Sequence, residues 1–243
     1  MAGRLICLWS GPRNVSTALM YSFAQLDDID VVDEPLYAHY LRVSGRDHPG
    51  RDDVLASQDA DGDRVMHDLR MRADTGRRVF AKQMAHHLVG LDFTFLYSTS
   101  NVLLIRNPRE MLPSLTVQLP SATLADTGLK RQWELYESLA DRGHPPAVLD
   151  SRELLLDPAG VLSTLCRQLG IDYADRMLRW PPGARPEDGV WAKYWYHAVH
   201  QSTGFQPYRA KDHFPEDLEP LLAQCAPFYE KLLKTAIKAD TST

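Results

Sequence analysis

An α/β fold, a central parallel sheet flanked by helices on both faces, is what this sequence predicts, on two observations. Five short apolar runs recur along the chain with helical patterns in most of the gaps between them, the order that gives parallel strands joined by crossover helices. The chain can also cover both faces of such a sheet, because 243 residues at 44% hydrophobic content suffice for a full core. That length is near the upper end for one domain, so a single domain over 1–243 is expected.

The first apolar run, Leu5, Ile6, Cys7, Leu8 and Trp9, reads as a strand. It enters the turn Ser10-Gly11-Pro12-Arg13-Asn14-Val15-Ser16-Thr17, and a helical pattern opens at Ala18, Leu19, Tyr21 and Ser22. Residues 29–32 give a second strand, 79–82 a third and 102–106 a fourth, with Pro108 set at the start of a helix. A helical pattern covers 130–142, and 147–150 is the fifth strand. A helix over 158–169 is closed by Gly170, and an amphipathic helical stretch fills 216–238. Residues 44–63, with Gly45, Pro49, Gly50 and Gly62 among many charges, have the least regular pattern and fit either a mobile cover or a plain surface loop. Residues 238–243 read as a fraying tail.

Charge narrows the function. The balance of 27 Lys and Arg against 32 Asp and Glu leaves no basic footprint for nucleic acid or an anionic membrane. No apolar run approaches a membrane span, and five apolar residues before the first turn are too few for a secretory leader. Cys7, Cys166 and Cys225 are widely spaced among apolar neighbours, the usage expected of reduced core cysteines in a cytoplasmic protein.

The turn after the first strand has the chemistry of an anion site. Unsatisfied N–H groups converge at a helix N-terminus whose dipole favours negative charge, Ser16 and Thr17 add hydroxyl donors, and Arg13 adds a cation. The plain alternative is an ordinary turn with a surface Arg and an N-cap Ser. The pattern G-x-x-x-x-G-K-[ST] is not met, since its second Gly and its Lys are missing. A second cation, Arg106, follows the fourth strand in Arg106-Asn107-Pro108-Arg109-Glu110, with Ser114 eight residues on. Both arginines stand at carboxyl ends of parallel strands, where open α/β sheets bind ligands.

These two segments together resemble the sulfotransferase family, whose sulfuryl donor is 3′-phosphoadenosine 5′-phosphosulfate, and are closest in pattern to bacterial small-molecule sulfotransferases. A third stretch, Arg152-Glu153-Leu154-Leu155-Leu156-Asp157-Pro158, is similar to the family's Tyr-Glu-Asp-Leu and Asp-Pro region, so the matches span about two-thirds of the chain. The resemblance implies a nucleotide-binding fold of the P-loop type. It places the 5′-phosphosulfate on Arg13, Asn14, Ser16 and Thr17, and the 3′-phosphate on Arg106 and Ser114. It implies a small-molecule hydroxyl or amine as acceptor and no metal. The sequence departs from the family in two places. Asn14-Val15 replaces a small pair, which requires Val15 to keep a negative φ, and Pro113 is expected to kink the helix that begins at Pro108.

Such transfer needs positioning, charge neutralisation and a group that takes the acceptor's proton. Glu34, in Asp33-Glu34-Pro35 just past the second strand, is one candidate base; His86, or its neighbour His87, is another; in a third reading Glu34 only caps or pairs. Where the cytosolic branch of the family carries Lys-Ser-His, this chain has Lys82-Gln83-Met84, which keeps the Lys and loses the His. Lys82 then reaches the bridging oxygen of the phosphosulfate, or, in the plain reading, points to solvent. His197 and His200 form an H-x-x-H without a third ligand, which reads as a helix-surface pair. Trp191, Tyr194 and Trp195 have helical spacing suited to packing, and the Ser202-Thr203-Gly204-Phe205 turn fits a loop over the donor. Two further readings stay open: a kinase-like phosphotransferase, and a nucleotide-binding module without catalysis.

Overall fold

The computed structural model describes residues 4–210 and 213–240. Six strands form one parallel sheet in the order β2-β3-β1-β4-β5-β6: β1 (Leu5–Ser10), β2 (Ile29–Asp33), β3 (Arg78–Met84), β4 (Ser100–Ile105), β5 (Ala147–Asp150) and β6 (Ala236–Ile237). Strand periodicity divides β1 between the two faces. Leu5, Cys7 and Trp9 join a core with Val79, Ala81, Leu103 and Ile105, whereas Ile6 and Leu8 join Phe80, Val102, Leu104 and Leu149 on the opposite face. With apolar groups on both sides, each strand reads as a continuous run, and that is why the five longer strands are legible in the sequence.

Five helices bear on the site: α1 (Ser16–Phe23), α2 (Tyr37–Ser44), α3 (Arg51–Ser57), α4 (Gly62–Thr75) and α5 (Pro108–Leu115). From β1 the chain moves outward to β2, returns to place β3 beside β1, and then builds β4, β5 and β6 on the other side. Strand order therefore reverses at β1. The loops leaving β1 and β4 flank the crevice at the carboxyl edge, where an α/β sheet binds its ligand.

The structure differs from the sequence reading in several elements. Residues 44–63 are not a structureless loop: α3 lies within them, entered through Gly50 at φ 76°, and α4 opens where the Asp61 side chain accepts a hydrogen bond from the Arg64 N–H. The amphipathic stretch 216–238 contains a 3-10 turn over Glu216–Leu218 and an α-helix over Glu219–Leu233; the chain then turns, and Ala236 and Ile237 pair with Val148 and Leu149 as β6. A short apolar pair carries no period that separates strand from helix. Pro113 falls in the last turn of α5, which ends two residues later, so the lost hydrogen bond affects the helix end and not its middle. Of the expected tail, 241–243 lie outside the described residues. Cys7, Cys166 and Cys225 are all free and buried. Among the described residues no helix is long and apolar enough to cross a membrane.

Candidate active site

The loop after β1 is shaped by close packing and by partners distant in sequence. A Cβ on Gly11 would stand 2.7 Å from the Thr127 carbonyl oxygen, so no larger residue fits there without moving backbone. Arg13 takes a left-handed φ of 53°, a conformation costly for a residue with a side chain. Its carbonyl accepts a 2.7 Å bond from Arg106 Nη1, and its own Nε donates to Ser114 Oγ at 2.8 Å. Asn14 ties the loop to the sheet: Nδ2 donates to the Leu104 carbonyl at 2.9 Å, while Oδ1 accepts from the Val15 N–H and from Ser151 Oγ. Val15 keeps the required negative φ, at −85°, and the positive φ falls on Arg13 instead.

Val15, not Ser16, is the N-cap of α1, and no side chain caps that end. The first-turn N–H groups, with Ser16 and Thr17 packed beside them, are left for an anion. Burial and the neighbouring Arg106 charge both lower the pKa of the Arg13 guanidinium. Arg106 also pairs with Glu110, whose Oε2 is 3.4 Å from its Nε, so the cluster already holds one carboxylate beside its two cations.

This geometry bears on two expectations. Arg13, assigned to the phosphosulfate, bonds Ser114, assigned with Arg106 to the 3′-phosphate, so the two expected subsites meet in one cluster. Asn14 lies on the wall of the cavity described below, and both ends of its amide already bond within the protein, so its side chain also shapes the loop.

The other part of the site forms where β2 and β3 end side by side, with Asp33 and Lys82 in register. Lys82 is completely buried and does not point to solvent. Nor are its hydrogens free for a donor, because Nζ donates to Asp33 Oδ1 at 2.9 Å, Glu34 Oε1 at 2.5 Å and Tyr196 OH at 2.6 Å. Glu34 follows at a left-handed φ of 38°, immediately before Pro35. Its N–H donates to the Lys82 carbonyl at 2.7 Å, and its carbonyl accepts from the Tyr37 N–H and from Gln58 Nε2. Burial raises the Glu34 carboxyl above its ordinary range; Lys82 opposes that rise and Asp33 adds to it. His86 and His87 leave β3 in a short turn, with His87 stacked between Tyr37 at 4.9 Å and Tyr40 at 4.7 Å. Burial pushes His86 down to about 3, so its imidazole is uncharged at neutral pH.

One cavity of about 360 Å³ joins these parts, and its wall includes Arg13, Thr17, Arg106, Glu34, Lys82 and His86. His48 and Pro49 from the 44–63 segment lie on the same wall. That segment is held down by Arg46, which pairs with the buried Asp126 at 3.0 Å, and by His48 Nδ1, 2.9 Å from Tyr37 OH. Trp195, Gly204 and Phe205 also reach the cavity. The H-x-x-H residue His200 is instead 2.9 Å from Asp188 Oδ2. Tyr196 and Asp33 join the site although the sequence does not single them out. Tyr196 arrives from 114 positions beyond Lys82, and no local signal marks it. The acidic pair at the end of β2 was the available sign for Asp33.

An anion-binding end and a buried carboxylate in one cavity can hold a negatively charged group donor and accept a proton from a second molecule. Residues 4–237 match the family described as Sulfotransferase domain. Two Arabidopsis thaliana proteins, branched-chain-amino-acid aminotransferase-like proteins 2 and 1, are 41% and 40% identical over 98% and 96% of this chain. The chain spans 43% and 42% of their lengths, less than half of each. The sulfotransferase from Alicyclobacillus acidocaldarius shares the fold at a TM-score of 0.53 and 14% identity, with 98% of each chain covered. The sulfotransferase domain of the Synechococcus PCC 7002 olefin synthase has a TM-score of 0.53 at 16% identity, covering 93% of this chain and 95% of its own. By its match over nearly the whole length, the chain belongs to the sulfotransferase domain family.

Proposed function

We propose that this protein is an enzyme that moves a sulfuryl group from 3′-phosphoadenosine 5′-phosphosulfate to a hydroxyl or amine of a small-molecule acceptor, with residues 1–243 acting as one catalytic domain. The observation that carries this reading is the shared cavity, which sets the Arg13–Arg106–Ser114 cluster and the uncapped start of α1 on one wall with the buried Glu34. The donor's phosphates are drawn to the arginine cluster and the α1 N–H groups. The acceptor oxygen or nitrogen attacks sulfur in line, the bond from sulfur to the bridging phosphate oxygen breaks, and its electron pair leaves on adenosine 3′,5′-bisphosphate. Glu34 takes the acceptor's proton. Lys82 holds Glu34 in place, and contact with the donor would require it to exchange one of its three present bonds.

Release of adenosine 3′,5′-bisphosphate from the phosphosulfate donor, measured across a panel of hydroxyl and amine acceptors, tests the reading. Acceptor-dependent release is expected, and binding of the bisphosphate without turnover of any acceptor would favour a module that only binds nucleotide. Arg106→Lys addresses the donor end. A lysine has one ammonium where Arg106 now bonds the Arg13 carbonyl and has a planar fork to offer phosphate, so it cannot serve both. Calorimetric titration should show the bisphosphate weakened by about 1–3 kcal/mol, the range for a charge-assisted bond, and adenosine 5′-phosphate weakened less. Equal loss for both ligands would mean that Arg106 does not read the 3′-phosphate.

A further inference from the structure

Behind Glu34 lies a buried hydrogen-bond chain in which the proposed reaction gives Asp33 and Tyr196 no part. Tyr196 OH accepts from Lys82 and from Trp191 Nε1, at 2.6 and 3.2 Å, and donates to Asp33 Oδ2 at 2.7 Å. Asp33 also accepts from the Gly189 N–H at 3.2 Å and from Lys82 at 2.9 Å. The cavity wall includes Glu34, Lys82 and Tyr196 but not Asp33, so Asp33 stands one layer back from any substrate. Two buried carboxylates thus share a single ammonium, and a tyrosine supplies the second strong donor to only one of them.

We infer that Asp33 and Tyr196 are positioning residues that set how tightly Glu34 holds a proton, by dividing the Lys82 ammonium between two carboxylates. A single carboxylate would suffice to neutralise a buried lysine; a second one, in register with Lys82 on the adjacent strand, has another consequence. Its negative charge makes Glu34 harder to ionise, while Lys82 makes it easier, and the balance depends on how much of the lysine each carboxylate commands. The Tyr196 hydroxyl supports Asp33 and leaves more of Lys82 for Glu34. Other titratable neighbours are Tyr21 on α1, which faces Asp33 and stays protonated through burial and its bond to Asp188, Tyr37 on α2, which faces Glu34, and His87 after β3, which faces Lys82. Burial holds Tyr37 protonated and His87 uncharged, so none of the three alters the division near neutral pH. This inference rests on Glu34 as the proton acceptor.

Two substitutions should move Glu34 in opposite directions. Asp33→Asn removes the competing charge at nearly constant shape and gives Lys82 wholly to Glu34, so the Glu34 carboxyl should titrate about one unit lower or more. Tyr196→Phe takes a donor from Asp33 and an acceptor from Lys82; the Asp33 charge, losing its closest donor, outweighs the lost neutral hydroxyl and draws Lys82 toward itself, which should raise the titration of Glu34. Both are read on the full chain from the carboxyl ¹³C resonance of Glu34, assigned by its loss in Glu34→Gln. A resonance that is unmoved or raised in Asp33→Asn overturns the inference, and that variant decides the matter even where Tyr196→Phe fails to fold. The acid limb of kcat, with any acceptor that turns over, should follow the resonance. A limb that stays fixed while the resonance moves would remove Glu34 as the base yet leave the division of Lys82 standing.

Discussion

Replacing Glu34 by Gln is expected to lower turnover by about 10²- to 10⁴-fold, the usual contribution of a general base, while the affinity for adenosine 3′,5′-bisphosphate changes little. Gln keeps the shape and can accept the Lys82 hydrogen bond, but it cannot take a proton. The structure favours Glu34 over His86 on two grounds. Glu34 is held at φ 38° by bonds to the Lys82 carbonyl, Tyr37 and Gln58, a backbone strain that the surroundings sustain at this one carboxylate. Its carboxyl is raised by burial, which brings its basicity nearer to neutral pH, whereas burial pushes His86 down to about 3 and leaves it a weak base. His86→Asn should therefore keep most of the activity. Near-normal turnover by Glu34→Gln beside an inactive His86→Asn would assign the base to His86.

Lys82→Met should cost stability as well as activity. Removing the ammonium leaves Asp33 and Glu34, both buried, without their common cation, and breaking a buried ion pair from one side typically costs about 3–5 kcal/mol. For a chain of this size that corresponds to a fall in Tm of roughly 6–20 °C. The sign of its pH dependence follows from Glu34. A carboxyl whose pKa is higher in the folded than in the unfolded state contributes its full stabilisation below the unfolded value, and loses it as pH rises through the folded value. Without Lys82 the folded-state value rises further, so the deficit measured by urea unfolding should be larger at pH 7 than near pH 5. A triple variant that also carries Asp33→Asn and Glu34→Gln should recover part of the loss. A Lys82→Met protein as stable as the parent would show that the ion pair contributes nothing net.

The parts of the site legible in the sequence are those fixed by local chain geometry. The run Leu5 to Trp9 marks β1, and a turn with Gly11 and Pro12 before paired hydroxyls marks the start of α1. Arg106 and Glu34 each follow a strand directly, so the parallel order alone puts them at the carboxyl edge with Arg13. What was illegible depends on contacts between distant segments. Nothing near Arg13 announces that its φ is positive or that Ser114 receives its Nε; both follow from how α5 and the β1 loop pack. Lys82 could be read as a strand-end lysine, but its burial depends on β2 lying beside β3 in register and on Tyr196 closing over it. The helix α3 is not legible in the sequence because seven residues with three charges present too little apolar periodicity.

If the arginine cluster and the α1 N-terminus hold a nucleotide bearing both 3′- and 5′-phosphates, thermal unfolding with competing nucleotides will show it. At a hundredfold excess over its Kd, adenosine 3′,5′-bisphosphate should add about 2.7 kcal/mol of stability, a rise in Tm of roughly 5–11 °C for a chain of this length. ATP with magnesium at the same concentration should give a much smaller rise; an equal or larger one would contradict the sulfotransferase reading.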